Sequence, residues 1–348
     1  MNANALLSIT PNGLYCAVGD FYIDPWQPVR RAVVTHLHGD HYAMGCDSYL
    51  ISERSRHIAP FRLGVHASVQ TIPFGEAIDI HGVTVSLHPA GHILGSAQIR
   101  VEHRGEVWVV SGDYKREPDP TCTPFEVVKC HTFITEATFG LPVYRWERQQ
   151  QTFDQINQWW RDNQQQGKAS LLYGYALGKA QRLLAGVDPS IGPIYTHGLV
   201  EKLTDAYRKT GVPMPETTYA SAAKVKDYSQ ALIVAPPFAR GSRWVRRFGN
   251  VSQGFASGWM RIRGVRRQRA VDRGFVLSDH IDWTDLMDTI EATGAERIGV
   301  THGYVMVVAR WLHEQGYSAF VYETRFRGEQ DEDTEAVDID EEAPQLND

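Results

Sequence analysis

Long apolar runs are missing from this sequence. None approaches 18 residues, which excludes a transmembrane helix readable from hydropathy. The opening stretch MNANALLSITPNG has no basic region ahead of its short apolar patch, so no secretory signal is legible and the expected location is the cytoplasm. Cysteine is scarce. Cys16, Cys46, Cys122 and Cys130 form no CxxC pair, and a chain of 348 residues buries enough core to dispense with disulfide staples, so they read as reduced thiols. The phosphate-cradling GxxxxGK[ST] signature is absent. What is present, 43% apolar and 22% charged residues, is the composition of a globular chain and excludes a largely disordered one.

Charge is unevenly placed. The last 21 residues, Gly328 to Asp348, hold ten acids and no lysine or arginine, and read as a disordered acidic tail. The body that precedes them is net positive despite an overall charge of −6. Residues 240–273 carry ten arginines against one acid, Asp272. A basic segment of this kind points to a polyanionic ligand.

The first 140 residues read as short strands and tight turns, for example 32–35, 83–87, 107–110 and 132–135. The texture then changes. A helix is predicted over 152–166, followed by strand 169–173, helix 179–185, strand 193–196, helix 200–210 and strand 231–235. This alternation makes an α/β unit of roughly 100 residues. Strands at 275–277 and 298–300 flank a helix at 283–293, and a helix at 305–315 and a strand at 319–322 close the fold. Histidines and aspartates of metal-ligand type stand on both sides of the α/β unit, so it reads as an insertion.

His36-Leu37-His38-Gly39-Asp40-His41 is the strongest chemical signal. It places four ligand-type side chains within six residues, directly after an apolar strand. Borderline divalent metals such as zinc favour this mixture of imidazole and carboxylate. His92, Asp113, the Asp279-His280 pair and His302 stand at the ends of other apolar runs. Rigid strands fix such groups while the loops give access. The count suits two ions: His36, His38 and His92 for one, Asp40, His41 and His302 for the other, with Asp113 bridging. Two metals sharing a water suit hydrolysis of a phosphodiester without a serine or cysteine nucleophile.

Taken in order, HLHGDH, PAGHILGSAQI and VVSGDYKRE resemble the successive signatures of the metallo-β-lactamase fold. FITEATFG, VLSDHIDW and GVTHG resemble the further motifs of its β-CASP nucleic-acid-processing branch. The likeness covers about residues 8–327 and is strongest to the bacterial ligase-associated DNA exonucleases, including TPNGLYCAVGDFYIDPW and GWMRIRGVRRQRAVDRGFVLSDH. The resemblance implies an α/β (α+β) fold: an αββα metallo-β-lactamase sandwich from residues 1–148 and 269–327, an inserted α/β β-CASP domain over 149–268, and the tail 328–348. It implies ligation of two divalent ions, zinc or manganese, by His36, His38, Asp40, His41, His92, Asp113 and His302. Glu136 would orient a neighbouring catalytic histidine, and His280 would face the scissile phosphate. Asp40, Glu136 and His280 are the residues given catalytic roles. Gly39 and Tyr42 depart from the residues common at those places, but neither supplies a ligand.

The activity so implied is metal-dependent DNA exonuclease action from 5′ ends in DNA repair, through a water activated by two metals, in association with a DNA ligase and with no membrane partner. An RNA-processing ribonuclease is the alternative, since RNA-processing relatives keep the histidine matching His302. A small-molecule metallo-hydrolase is the second alternative. A further rival, a nucleic-acid-binding scaffold with a structural metal, needs only four closed ligands, whereas seven are present. Expected nucleic-acid or phosphate contacts are Lys179, at a strand–helix turn, and Arg243, Arg246, Arg247, Arg261, Arg263, Arg266 and Arg267. Aromatics among these arginines are candidates for base stacking.

Overall fold

The computed structural model describes residues 5–262, 264 and 271–322. Arg263, Arg266, Arg267 and the tail 328–348 therefore lie outside the described residues. The chain divides into two compact units. Among the described residues, one is built from those up to Trp146 together with Ser278–Tyr322, and the other from those within Glu147–Leu277.

In the first unit, β1 (Ser8–Thr10), β2 (Gly13–Cys16), β3 (Phe21–Ile23), β4 (Ala32–Val33), β5 (Tyr49–Ser52) and β6 (Val69–Ile72) pair in sequence order as one sheet. The four-residue helix α1 (Ala59–Arg62) lies between β5 and β6. A second sheet begins with β7 (Ala77–Ile80), β8 (Val83–Pro89), β9 (Ala97–His103), β10 (Glu106–Val110) and β11 (Thr132–Ala137).

The second unit holds a six-stranded sheet whose pairings are all parallel, in the order β14 (Thr218–Tyr219), β13 (Ile194–Thr196), β15 (Leu232–Ala235), β12 (Ala169–Tyr173), β16 (Val251–Ala256), β17 (Arg273–Phe275). Helix α2 (Gln149–Gln165) precedes β12, α3 (Lys179–Gly186) and α4 (Gly198–Lys209) connect successive strands, and α5 (Arg243–Arg246) follows β15. All five residues of β12 are buried, as expected of a parallel strand covered on both faces. Leu172 packs with Trp159, Trp160 and Leu183 on one side, while Leu171 and Tyr173 pack with Tyr195 and Phe248 on the other. Trp159 and Trp160 also satisfy their indole N–H groups, on Ser252 Oγ and the Gln230 carbonyl, each at 3.1 Å.

One strand departs from the sequence reading. Of the segment expected as a strand at 275–277 beside helix 283–293, only Phe275 is in a strand, as the last residue of β17, which pairs in parallel with β16 of the second unit. Phe275 drives this pairing: its ring packs at 5.4 Å on Trp159, within the apolar cluster of that unit.

Back in the first unit, α6 (Trp283–Thr293), β18 (Arg297–Gly303), α7 (Val305–Glu314) and β19 (Ser318–Val321) complete the second sheet, ordered β19-β18-β11-β10-β9-β8-β7. Asp282 caps α6 by accepting from the Asp285 N–H at 2.9 Å, and Gly294, with φ of +69°, ends it. Successive residues of β10 face opposite ways. Trp108 and Val110 join Phe21, Ile23, Val33 and Leu50 between the two sheets, while Val107 and Val109 join Leu286, Ile290, Val308 and Leu312 of α6 and α7. The result is a mixed α/β sandwich of the metallo-β-lactamase type interrupted by an α/β insertion. No described helix is long and apolar enough to cross a membrane.

Candidate metal centre

Four strands of the second sheet deliver polar groups to one edge. β8 runs antiparallel to β9, and β9 antiparallel to β10, so β8, β10, β11 and β18 all point the same way. Beyond their ends, or on their last residues, stand His92, Asp113, Glu136 and His302. β4 of the first sheet leads into His36 and His38, and a short 3-10 turn, Gly39–His41, carries Asp40 and His41. Two glycines make the approach close. A Cβ on Gly91 would lie 2.3 Å from the Lys115 carbonyl oxygen, and one on Gly112 would lie 2.6 Å from Thr35 Cβ; both residues also hold positive φ, +73° and +56°.

The donor atoms converge. His36, His38, His92 and Asp113 form one buried group, and His41, Asp113 and the partly buried His302 another, the donors of each lying within 4.8 Å of one another. His36 Nε2 and His92 Nε2 are 3.2 and 3.1 Å from His38 Nδ1. Asp113 Oδ2 lies 3.5 Å from His36 Nε2 and 3.3 Å from His41 Nε2, while Oδ1 lies 3.5 Å from His302 Nδ1. Asp113 thus takes part in both groups: Oδ2 faces His36 and His41, and Oδ1 faces His302. Nitrogen ligands on a tetrahedral zinc at 2.0–2.1 Å stand about 3.4 Å apart, so these separations are those of ligands around an ion. The satisfaction of polar atoms agrees. His41 Nε2 and Asp113 Oδ1 are buried without a hydrogen-bond partner among the described residues. An orphaned buried polar atom costs about 1–3 kcal/mol, and a cation would remove that cost. The donor set therefore fits divalent metal.

Asp40 is the exception among the expected ligands. Its carboxylate is 3.9 Å from His41 Nε2 but stands outside both donor groups, lining an adjoining cavity with Asp24, His41, Trp26 and Thr301.

Glu136 is fully buried at the end of β11. It accepts from the Tyr114 N–H at 2.8 Å and lies 2.9 Å from His280 Nδ1. The His280 segment is pinned from three sides. Lys115 Nζ donates to the Ser278 carbonyl at 2.7 Å, His92 Nδ1 lies 2.9 Å from the Asp279 carbonyl, and Trp146 Nε1 donates to the His280 carbonyl at 3.0 Å. Lys115 and Trp146 were not singled out from the sequence. Nor was Asp24, whose Oδ2 sits 2.7 Å from His41 Nδ1 while its carboxylate also receives the N–H and hydroxyl of Thr35. Histidine ligands are commonly oriented by such a carboxylate behind the ring. Its sequence signal was an acid at the end of an apolar run, FYIDPW, the same placement that flagged Asp113.

Charge sorts the imidazoles. Burial, helped by the neighbouring His41, holds His36 well below the ordinary histidine value, and burial with His280 does the same for His92. Both stay neutral, the state in which imidazole ligates a metal. For His41, burial opposes the charge, but Asp113, Asp40 and Asp24 outweigh it and lift the group well above its ordinary value. His280 is lifted likewise, against burial, by Glu136, Asp113 and Asp279. Burial would raise Asp113, yet His41 and His280 hold it well below the usual carboxylate range.

The expected nucleic-acid contacts fare unevenly. Lys179 is fully buried, with Nζ on the Leu277 carbonyl at 3.2 Å, so it ties strand end to helix rather than facing solvent. Arg243, Arg246, Arg247 and Arg261 are exposed, the last 4.0 Å from Glu147.

Comparison with known proteins follows the same lines. Over 312 residues, 89% of its length, the chain is 31% identical to a probable DNA ligase of Opitutus terrae, of which it spans 30%. It is 36% identical over 131 residues to endoribonuclease YSH1 of Gibberella zeae, covering 34% of this chain and 15% of that one. It is 33% identical over 122 residues to cleavage and polyadenylation specificity factor 73 of Drosophila melanogaster, covering 34% and 18%. The chain thus spans less than a third of these curated relatives. A solved structure of a protein of unknown function from Enterococcus faecalis shares the fold, with a TM-score of 0.58 and 10% identity over 85% of this chain and 79% of that one. No family model matches. The fold is thus of the metallo-β-lactamase/β-CASP kind, and the relatives this chain resembles include a probable DNA ligase, an endoribonuclease and a cleavage and polyadenylation specificity factor.

Proposed function

We propose that the chain is a metal-dependent phosphodiesterase acting on DNA, an exonuclease that works from 5′ ends in repair and in functional association with a DNA ligase. The observation that carries the hydrolytic reading is the buried convergence of His36, His38, His41, His92, His302 and Asp113, with donor separations that suit metal ions. Support for DNA comes from the 31% identity to a probable DNA ligase across 89% of the chain.

These six residues would hold two divalent ions, zinc or manganese, with Asp40 at their margin. Bound there, the metals would supply Lewis-acid charge to the phosphate oxygens and lower the pKa of water. The remaining chemistry belongs to the chain. Glu136 fixes the His280 ring through Nδ1 and favours its protonated form. His280 then serves as the acid that protonates the departing oxygen. The clamps from Lys115 and Trp146 hold its backbone, so the ring meets the phosphate in one orientation. The exposed arginines of the second unit supply the non-specific affinity for the strand.

RNA processing is the second reading, favoured by the local matches to an endoribonuclease and to a cleavage and polyadenylation specificity factor over a third of the chain. A nuclease assay separates the two. Metal-stripped chain, with zinc or manganese restored, is given matched single-stranded DNA and RNA labelled at either end. Metal-dependent release of short products from 5′-labelled DNA, with RNA spared, is the expected result. Preferred cutting of RNA moves the protein to RNA processing. Failure to cut either overturns the nuclease reading in favour of a small-molecule metallo-hydrolase.

A further inference from the structure

Because every pairing in the third sheet is parallel, the segments that follow its strands gather along one edge. Open α/β sheets bind their ligands at this carboxyl edge. Here β13 is followed by His197, and β15 by the segment Pro236–Asn250, which holds four arginines and no acid. Arg243, Arg246 and Arg247 are exposed. The guanidinium groups of Arg243 and Arg246 have no hydrogen bond or ion pair among the described residues. Like charges at i,i+3 and i,i+4 oppose a helix, so this turn carries an electrostatic load that nothing nearby on its own segment relieves.

Trp244 sits among these arginines and is held differently. It is half-buried, its Nε1 donates to Ser221 Oγ at 3.3 Å, and its ring stands edge-on to His197 and Phe248 with centroids 4.9 and 4.7 Å apart. Arg247 lies over the indole at 5.8 Å and donates to the same Ser221 hydroxyl at 2.8 Å. A solvated arginine face needs no such fixing of an aromatic ring. A rigid indole flanked by unneutralised cations is the composition of a stacking platform for unpaired bases.

We infer that Arg243, Trp244, Arg246 and Arg247 form a landing surface for single-stranded nucleic acid, with phosphates on the arginines and one base stacked on Trp244. This rests on the nuclease reading and adds to it the form in which the strand is held. A duplex, whose bases are already stacked, cannot use the platform.

Binding is measured on the full chain stripped of metal, so that nothing is cut. The probes are labelled dT15, rU15, an abasic 15-mer and a 15-base-pair duplex, over a range of salt. Trp244→Ala is expected to weaken dT15 and rU15 at least about fivefold and to leave the abasic strand within about twofold. Trp244→Phe keeps most of the affinity. The double variant Arg243→Gln/Arg246→Gln is expected to weaken every single strand and to reduce the slope of log affinity against log salt by about 1.4, at about 0.7 per phosphate contact. Melting curves check that each variant is folded; if Trp244→Ala is not, Trp244→Phe and the arginine pair decide. Equal losses on dT15 and the abasic strand, an unchanged salt slope, or a duplex weakened as much as dT15 would overturn the platform. Cutting by the metal-loaded wild-type chain is read separately, so failure of the nuclease reading shows as intact substrate while these binding results stand.

Discussion

Asp24 and Asp113 show how differently two acids can enter one site. Asp113 offers an oxygen to each donor group, while Asp24 stands behind His41 and holds the ring by its far nitrogen. Asp24→Ala should leave the ligands in place but loosen one of them. A loss of about 10–100-fold in metal affinity is expected, read by competition with a chelator. The cysteines mark the opposite extreme. All four are buried, and burial pushes the Cys130 thiol up to about 12. With no thiolate at neutral pH and no access, Cys130 should react with a thiol reagent only as the chain unfolds. Rapid labelling of Cys130 in the native chain would contradict this.

Elements whose pattern repeats were the most legible. The helix expected at 283–293 occupies those residues, with Asp282 as its cap in the structure, and β12 occupies 169–173 as expected. The strand ends that carry the converging histidines and Asp113 were legible too, because an apolar run that stops at His or Asp is a local signal. What escaped was set by long-range packing. β17 was misplaced because Phe275 finds its partner in Trp159, 116 positions earlier in the chain. Lys115 and Trp146 were passed over because their targets are backbone carbonyls at 278 and 280, which no side-chain motif announces. Lys179 looked like a phosphate contact by its strand–helix turn, but its burial was not readable from spacing. Two substitutions test the elements. Gly112→Ala forces a left-handed residue against Thr35 and should cost about 1–3 kcal/mol, read by chemical denaturation. Trp160→Ala opens the core under α2 and should cost about 3–5 kcal/mol.

At the scale of the whole molecule, the two compact units divide the proposed labour: the first carries the metal donors, the second the exposed arginines. Packing five histidines and an aspartate together without a cation leaves orphaned atoms and opposed charges, so metal binding should stabilise the folded chain. Stabilisation grows as the logarithm of metal concentration over Kd, about 2.7 kcal/mol at a hundredfold excess. Thermal melting of metal-stripped and reloaded chain should show the shift, and identical curves would count against a metal centre.

The most direct test of the account is metal content. Elemental analysis of the purified, dialysed chain should find two divalent ions per chain in the wild type. Asp113→Ala, which removes the carboxylate common to both donor groups, should hold fewer than one. A wild-type chain with one tightly held ion or none, or an Asp113→Ala chain that keeps two, would contradict the shared two-metal centre on which the proposed chemistry depends.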